Sequence, residues 1–315
     1  MAFEEKLPDS SVFEPIVMGM NIGIITVRDG DYHPNRRLAE AASEQGHRIT
    51  IVHPYKVWSV LKGGQPSLVG GKDKESLDVV LPRQGATIGD SCLALIRHFS
   101  LMGISLVNGL DSIRLTKNKF LTLQTLTEER IYVPETVFIN APEGFQTAIE
   151  QLGGYPVVAK QVSGRQGEGI ILVKTSGDKK RVTRDHLDRR KGMLVQRFIP
   201  PAGRQDIRVL VVGGKAIGAM ELRPKEGDFR ANFHLSKESR FKELSPEQEK
   251  IALNATSAVG LEIAGVDLIV DKKGRISVIE VNYSPGFNGL EAATGLDIAG
   301  RIVKYVTSTY GSGKE

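Results

Sequence analysis

The stretch from Val266 to Gly286 constrains this chain more than any other. Two β-branched runs flank the polar turn Asp271 to Gly274, the spacing and composition of an antiparallel hairpin. Pairing Val270 with Arg275 sets Asp267 opposite Val278. In that register Asp267, Glu280 and Asn282 share one face with Ile269, Ile276 and Val278, because alternate strand residues point the same way. Val266, Leu268, Ile279 and Val281 take the other face. Diagonal neighbours on one face lie roughly 7–8 Å apart, close enough for two carboxylates to share one or two hard cations. Mg²⁺ (or Mn²⁺) suits these oxygen donors, since it is usually held by one or two carboxylates together with substrate phosphates. The rival readings are a solvated strand face and a structural ion pair. A strand apolar on both faces is expected to be buried, and buried carboxylates need a partner.

A chain of 315 residues with 40% hydrophobic content supports two or three domains. The single cysteine, Cys92, excludes an internal disulfide framework and fits a reducing compartment, so a cytoplasmic protein is expected. The apolar run Ile16 to Val27 is broken by Gly19, Asn21 and Gly23 and lacks a basic flank, which argues against a signal peptide or a membrane span. The net charge of +5 is uneven. From Lys160 to Lys242, 20 Lys or Arg stand against 9 Asp or Glu, a net +11. A basic centre beside an acidic hairpin suits an anionic ligand with its cation, such as a nucleotide–Mg²⁺ complex. Nucleic-acid binding is the rival for the same charge, and the scarcity of interleaved aromatics weakens it.

Residues 20–108 alternate strand and helix: Asn21–Val27, Asn35–Gln45, His47–His53, Leu77–Pro82, Asp90–Met102 and Ser105–Asn108. That order predicts a small parallel α/β domain, with Tyr55–Lys74 as a loop. Arg83 and Asp90 flank the carboxyl end of the third strand, where open α/β sheets bind ligands. One helix is expected from Thr116 to Arg130, carrying Lys117 and Lys119 in its first turn. Next comes a strand ending in Lys160, a loop with Gly164, Gly167 and Gly169, and another strand. Glycines let backbone N–H groups approach phosphates while the lysine balances their charge. The run after the loop is β-branched, which separates it from a Walker loop or a Rossmann turn; an ordinary Gly-rich hairpin is the plain alternative. Met193–Ile199 reads as a strand, Ile207–Met220 as a hairpin placing Arg208 with Leu210, and Arg223–Leu235 as a charged loop. Ser245, Pro246 and Gln248 open a capped helix to Val259, and Asn288–Tyr305 is expected to close the chain as one helix.

Lys160 with its glycine flap, Gln196-Arg-Phe-Ile, Asp206-Ile-Arg, Lys225-Glu-Gly-Asp-Phe-Arg-Ala-Asn-Phe-His, Ala264-Gly-Val-Asp and Ile279-Glu-Val-Asn-Tyr-Ser-Pro-Gly together resemble the RimK-like ATP-grasp ligases, the alpha-L-glutamate ligase type. Pro82-Arg-Gln-Gly resembles that family's N-terminal domain. The resemblance implies a mixed α/β and α+β fold: a polar tail (1–18), a pre-ATP-grasp α/β domain (19–112), an ATP-grasp subdomain with the flap (113–195) and a C-terminal subdomain with the metal site (196–310), the last two clamping ATP between antiparallel sheets. It also implies ATP-dependent ligation of a carboxylate to an amine, ADP-forming, through an acyl phosphate.

Carried over by position, the resemblance makes Lys160, Arg230 and Arg208 catalytic. Lys119, Lys160, Arg197, Phe198, Asp206, Arg230, Ala231 and Asn232 would bind ATP, and Asp267, Glu280 and Asn282 would hold two metal ions. Arg197 departs from the acidic residue common at the adenine hinge. After His234 the family continues Arg-Gly-Gly, whereas this chain reads Leu235-Ser-Lys, in a loop bordering the acceptor. The expected partners are ATP, an amino acid with glutamate favoured, and a carboxylate acceptor that is a small molecule or a protein C-terminus, with no membrane; homo-oligomer formation stays open. The alternatives are a nucleotide-binding regulatory module without turnover and a nucleic-acid binder.

Overall fold

Period-two apolar runs and their turn residues resolve into strands throughout the computed structural model, which describes residues 19–71, 76–85, 88–164, 169–225, 227–230 and 236–311. The elements, in chain order, begin with β1 (Asn21–Ile25), α1 (His33–Glu44), β2 (Arg48–Val52), β3 (Val57–Lys62), β4 (Gln65–Gly70), β5 (Val79–Pro82), α2 (Asp90–Leu101) and β6 (Ser105–Leu106). They form a parallel sheet in the order β2-β1-β5-β6 with a separate β3-β4 hairpin. The expected parallel α/β domain is therefore present, but the Tyr55–Lys74 segment is not a loop. Gly63 and Gly64, both at positive φ (60° and 77°), turn the chain between Val57–Lys62 and Gln65–Gly70, as a two-residue hairpin turn requires.

Two helices, α3 (Leu110–Lys117) and α4 (Lys119–Glu128), replace the single helix expected over Thr116–Arg130. Asn118 adopts an extended conformation (φ −102°, ψ 109°) and its side chain accepts from the amides of Phe120 and Leu121. An asparagine competing for backbone donors in this way ends one helix and caps the next. Lys117 closes α3 and Lys119 opens α4, so the two lysines are not in one first turn.

The central unit comprises β7 (Thr136–Ile139), α5 (Pro142–Gln151), β8 (Val157–Gln161), β9 (Ile170–Val173), α6 (Ser176–His186) and β10 (Met193–Arg197), with sheet order β7-β10-β8-β9, all antiparallel. Val157, Ala159, Met193 and Val195 point into a core shared with Phe145 and Val182. By alternation Val158, Lys160, Leu194 and Gln196 occupy the opposite face.

The C-terminal unit carries β11 (Gln205–Val212), β12 (Lys215–Pro224), β13 (Ser236–Phe241), α7 (Pro246–Ala258), β14 (Ile263–Val270), β15 (Ile276–Asn282), α8 (Asn288–Thr294) and α9 (Ile298–Tyr310), in the order β13-β12-β11-β14-β15. The Ser245–Gln248 capping box before α7 is formed as expected. The helix expected over Asn288–Tyr305 is broken instead: Gly295 ends α8 in the left-handed region (φ 68°) and Asp297 caps α9. Unlike the central unit, this sheet shares its cores with the N-terminal one. Ile207, Val209 and Val266 pack in one cluster with Val80 and Phe99, and Leu210 and Met220 join Ile22 and Ile302 in another.

Asn108 pegs these two units together. Its Nδ2 donates to the carbonyls of Ile263 and Tyr283 (2.7 and 2.8 Å), and its Oδ1 accepts from the amides of Glu262 and Ile263 (both 2.8 Å), with the residue only 2% exposed. Leaving a buried polar group unpaired costs about 1–3 kcal/mol. Asn108→Leu, of similar size, strips the partners from these backbone groups, so chemical denaturation should show a loss of about 3 kcal/mol or more; an unchanged midpoint would mean that the peg is dispensable.

Candidate active site

The acid-bearing hairpin forms, in a different register from the expected one. Asp271 Oδ1 accepts from the amides of Lys273 and Arg275, which draws Arg275 into the turn. Val270 therefore pairs with Ile276 and Leu268 with Val278. Asp267 faces Glu280, and Gly265 faces Asn282, because the register shifts between Leu268 and Asp267 and leaves Ile279 as an extra residue. Ile276 and Val278 lie in the core with Leu268, Val266 and Val281, not on the acidic face. Simple alternation from Val278 would have sent Glu280 into that core. The bulge at Ile279 turns Glu280 back toward the cleft, as an inserted residue re-aims the side chains beyond it.

The cleft lies between the outward face of the central sheet and this hairpin, and spans about 880 Å³ including its open mouth. Val158 and Ile170 on one side and Leu222, Ile269 and Ile279 on the other give it apolar walls. Gln196, Arg197, Phe198 and Ile199 run along one edge. Lys119, Lys160, Asp206, Arg230, Asp267 and Glu280 line it as well, so eight residues singled out in the sequence meet in one place. Arg208 reaches it through Asp267, donating from Nε and Nη2 to the two carboxylate oxygens (both 2.7 Å). Asn282 follows on the face of Glu280, with Nδ2 3.5 Å from the Gly265 carbonyl. Ala231 and Asn232 lie outside the described residues, as does the flap tip, 165–168.

Charge is closely matched inside. Lys119 donates to Glu280. Burial pushes the Glu280 carboxyl up, but Lys119, Lys160 and Arg208 outweigh it and hold the group below its ordinary range. For Arg208, desolvation is likewise overcome, here by Asp267 and Glu280, and the guanidinium is held more firmly charged than usual. Arg230 forms a fork with Asp228 (Nη2 to Oδ2, 2.9 Å), and Arg197 pairs with Glu135 at the cleft's outer edge (2.6 Å). Burial raises the Asp206 carboxyl against the pull of Arg204.

Arg204 was missed in the sequence. Its guanidinium, 6% exposed, donates to Asp206 (2.9 Å), to the Ile199 carbonyl and to the Phe229 carbonyl (2.5 Å), tying the segment after β10 to the loop that carries Arg230. Its only sequence signal is its place two residues before Asp206. Gln196, 2% exposed and bonded to Thr136 (2.8 Å), was recognised only as part of a motif. Asp90, expected near a ligand, is fully exposed, 3.8 Å from Lys117, and does not line this cleft.

Comparison with known proteins agrees with this architecture. The RimK pre-ATP-grasp domain model matches residues 20–113 and the RimK-like ATP-grasp domain model matches residues 116–306. The chain belongs to the RimK-like ATP-grasp family, and it is an ATP-dependent ligase that forms an amide bond. Among curated relatives, a probable alpha-L-glutamate ligase of Thioalkalivibrio sulfidiphilus is 35% identical over 288 residues, 91% of this chain and 95% of the relative. One of Aliivibrio salmonicida is 36% identical over the same shares. In fold, the chain is similar to a RimK domain ATP-grasp protein from Sphaerobacter thermophilus (TM-score 0.69, 24% identity, 90% of this chain and 99% of that one). It is also similar to the ATP-grasp ligase PsnB in complex with a precursor variant, Mg and ADP (TM-score 0.70, 20% identity, 93% and 99%). No helix among the described residues is long and apolar enough to cross a membrane.

Lys160 makes the site pH-sensitive. Burial lowers its pKa to about 8, with Glu280 opposing and Lys119 assisting. The folded state thus binds fewer protons than the unfolded state between about pH 8 and the ordinary lysine range, so the cost of holding this charge is present below pH 8 and fades above it. Lys160→Met should melt at or above the parent temperature at pH 7. A bound polyphosphate would raise the pKa again, so ATP binding at pH 8 should take up protons. Calorimetry in buffers of different ionisation enthalpy reads this directly, and the uptake should vanish in Lys160→Met.

Proposed function

We propose that the cleft activates a substrate carboxylate with ATP and joins it to the amine of an amino acid, glutamate being favoured by the names of the curated relatives. The observation that carries this reading is the convergence of four cationic side chains, Lys119, Lys160, Arg208 and Arg230, on a hairpin face bearing Asp267 and Glu280. A carboxylate oxygen attacks the γ-phosphorus, the bond to the β–γ bridging oxygen breaks, and ADP departs. The amine then attacks the acyl carbon, phosphate leaves, and the amine's proton is released. Positioning and electrostatic stabilisation dominate such phosphoryl transfer, so no side-chain nucleophile is required.

In this reading the adenine lies between Val158 and Ile170 on one wall and Leu222 and Ile279 on the other, beside Gln196, Arg197 and Phe198. Asp206, at the cleft edge, faces the ribose side. Lys160 and Arg230 bear on the transferring phosphoryl group, with Lys119 beside them, and the Ala231–Asn232 pair continues from Arg230. Arg208 orients Asp267 through its two-pronged contact.

Asp267, Glu280 and Asn282 fit a hard cation: all three offer oxygen, and the pairing of both carboxylates with cationic side chains supports a place for positive charge here. One or two Mg²⁺ or Mn²⁺ ions held there would neutralise phosphate charge.

Two measurements test the reading. ADP release should require both an amino acid and a carboxylate acceptor when a panel of each is offered; ATP binding without release from any pair would leave a regulatory nucleotide module. For Glu280, the sequence alone favours a Gln replacement that melts at or above the parent temperature. The pairing with Lys119 reverses that expectation, because losing this carboxylate leaves Lys119, Lys160 and Arg208 less compensated. Glu280→Gln should melt below the parent without ligand, lose the ATP–Mg²⁺-induced rise, and slow turnover by about 10²–10³. Parental turnover at limiting Mg²⁺ would refute the assignment of this residue.

A further inference from the structure

A second cluster of side chains gathers around the loop that follows the acid hairpin, where Arg83 meets Pro285 and Phe287. The strand order β2-β1-β5-β6 reverses direction between β1 and β5, and ligands of open α/β sheets bind beyond the carboxyl ends of the strands at such a point. Arg83 stands there, directly after β5. Its side chain is largely withdrawn from water, with the guanidinium over the Phe287 ring at 5.6 Å and Nη2 donating to the Pro285 carbonyl at 2.5 Å. Among the described residues no carboxylate pairs with it. Burial lowers its pKa to about 10, with only the Tyr32 hydroxyl opposing. A desolvated guanidinium with one carbonyl partner has donors to spare and gains from an anion.

The chain after β1 completes the surroundings. His33, the first residue of α1, meets the same Phe287 ring edge-on at 6.0 Å, and its Nδ1 is buried with no hydrogen-bond partner. The helix has no side-chain cap and no acid of its own in its first turn, and a helix N-terminus favours negative charge. Glu291, the nearest acid on α8, is engaged by His33 Nε2 (3.4 Å) and Arg37 Nε (3.3 Å). The region also communicates with the acid hairpin. Pro285 is three residues beyond Asn282, at most about 10 Å along an extended chain, and Tyr283 in the same loop donates to the Gly85 carbonyl.

We propose that Arg83, flanked by the first turn of α1 and the Phe287 ring, binds a carboxylate of an acidic amino-acid unit that is not itself activated and so orients that substrate toward the phosphate site. The inference rests on the ligase reading of the neighbouring cleft. Two sources carry this chemistry: the α-carboxylate of a free amino acid, and a spare carboxylate of the acceptor. Arginine's planar fork suits either, and lysine does not reproduce it.

The test titrates L-glutamate, and separately a dipeptide of two glutamates, into the ADP–Mg²⁺-loaded parent, Arg83→Gln and Arg83→Lys by calorimetry. Affinity for one of the two probes should fall at least tenfold in Arg83→Gln and by less in Arg83→Lys, while the ATP–Mg²⁺-induced rise in Tm is kept in both. The probe that weakens identifies the source, and in steady state its KM should rise while the KM for ATP does not. If Arg83→Gln proves poorly folded, Arg83→Lys carries the comparison. Unchanged affinity for both probes in the variants, or no binding of either probe to the parent, would overturn the proposal. Arg83-dependent glutamate binding with no turnover of any substrate pair would instead refute the ligase reading and leave this site standing.

Discussion

The bulge at Ile279 governs what the cleft can do. Along β15 the core claims Ile276, Val278 and Val281, a spacing that no regular strand provides on one face. One extra residue reconciles it with the cleft and places Glu280 across from Asp267. Two carboxylates brought together in a partly buried sheet repel one another and would raise each other's proton affinity. Here each has a cationic partner, Arg208 as a fork on Asp267 and Lys119 as a donor to Glu280. The Glu280 carboxyl is thereby held below its ordinary range, ready for a cation or for phosphate-bearing partners.

The same balance explains where the basic excess goes. Part of it, on α6 and the turn after it, stays in water: Arg181 pairs with Asp178 and Arg184 with Asp185 on exposed surface, contacts worth little to stability. Another part, Lys160, Arg204, Arg208 and Arg230, converges on the cleft. A sheet with its own core forms one wall, while the opposing sheet is anchored to the N-terminal unit through shared cores and the Asn108 peg. Binding groups are thus divided between a firmly braced wall and a separately cored one.

Much of this was legible in the sequence because each feature has a local cause. The hairpin acids, the lysine before the glycine flap and the Ser245 capping box announce themselves by period and by turn chemistry. The register of β14 and β15 was not legible, since it depends on Asp271 capturing the amide of Arg275 and on a bulge dictated by packing against α7. The breaks at Asn118 and Gly295 hinge on one residue each in an otherwise helical pattern. The β3-β4 hairpin was hidden by its glycines, although Gly63-Gly64 between alternating runs is itself a hairpin signal. Arg204 left almost no trace, because its role is to hold backbone carbonyls that only the fold brings together.

The central claim is that a substrate carboxylate, and not water, receives the γ-phosphoryl group of ATP in this cleft. Supplying the acceptor with ¹⁸O in its carboxylate and following the released phosphate by mass spectrometry tests this at the reacting atom. The account predicts that each amide formed delivers one labelled oxygen to inorganic phosphate. Amide formation with wholly unlabelled phosphate would contradict it.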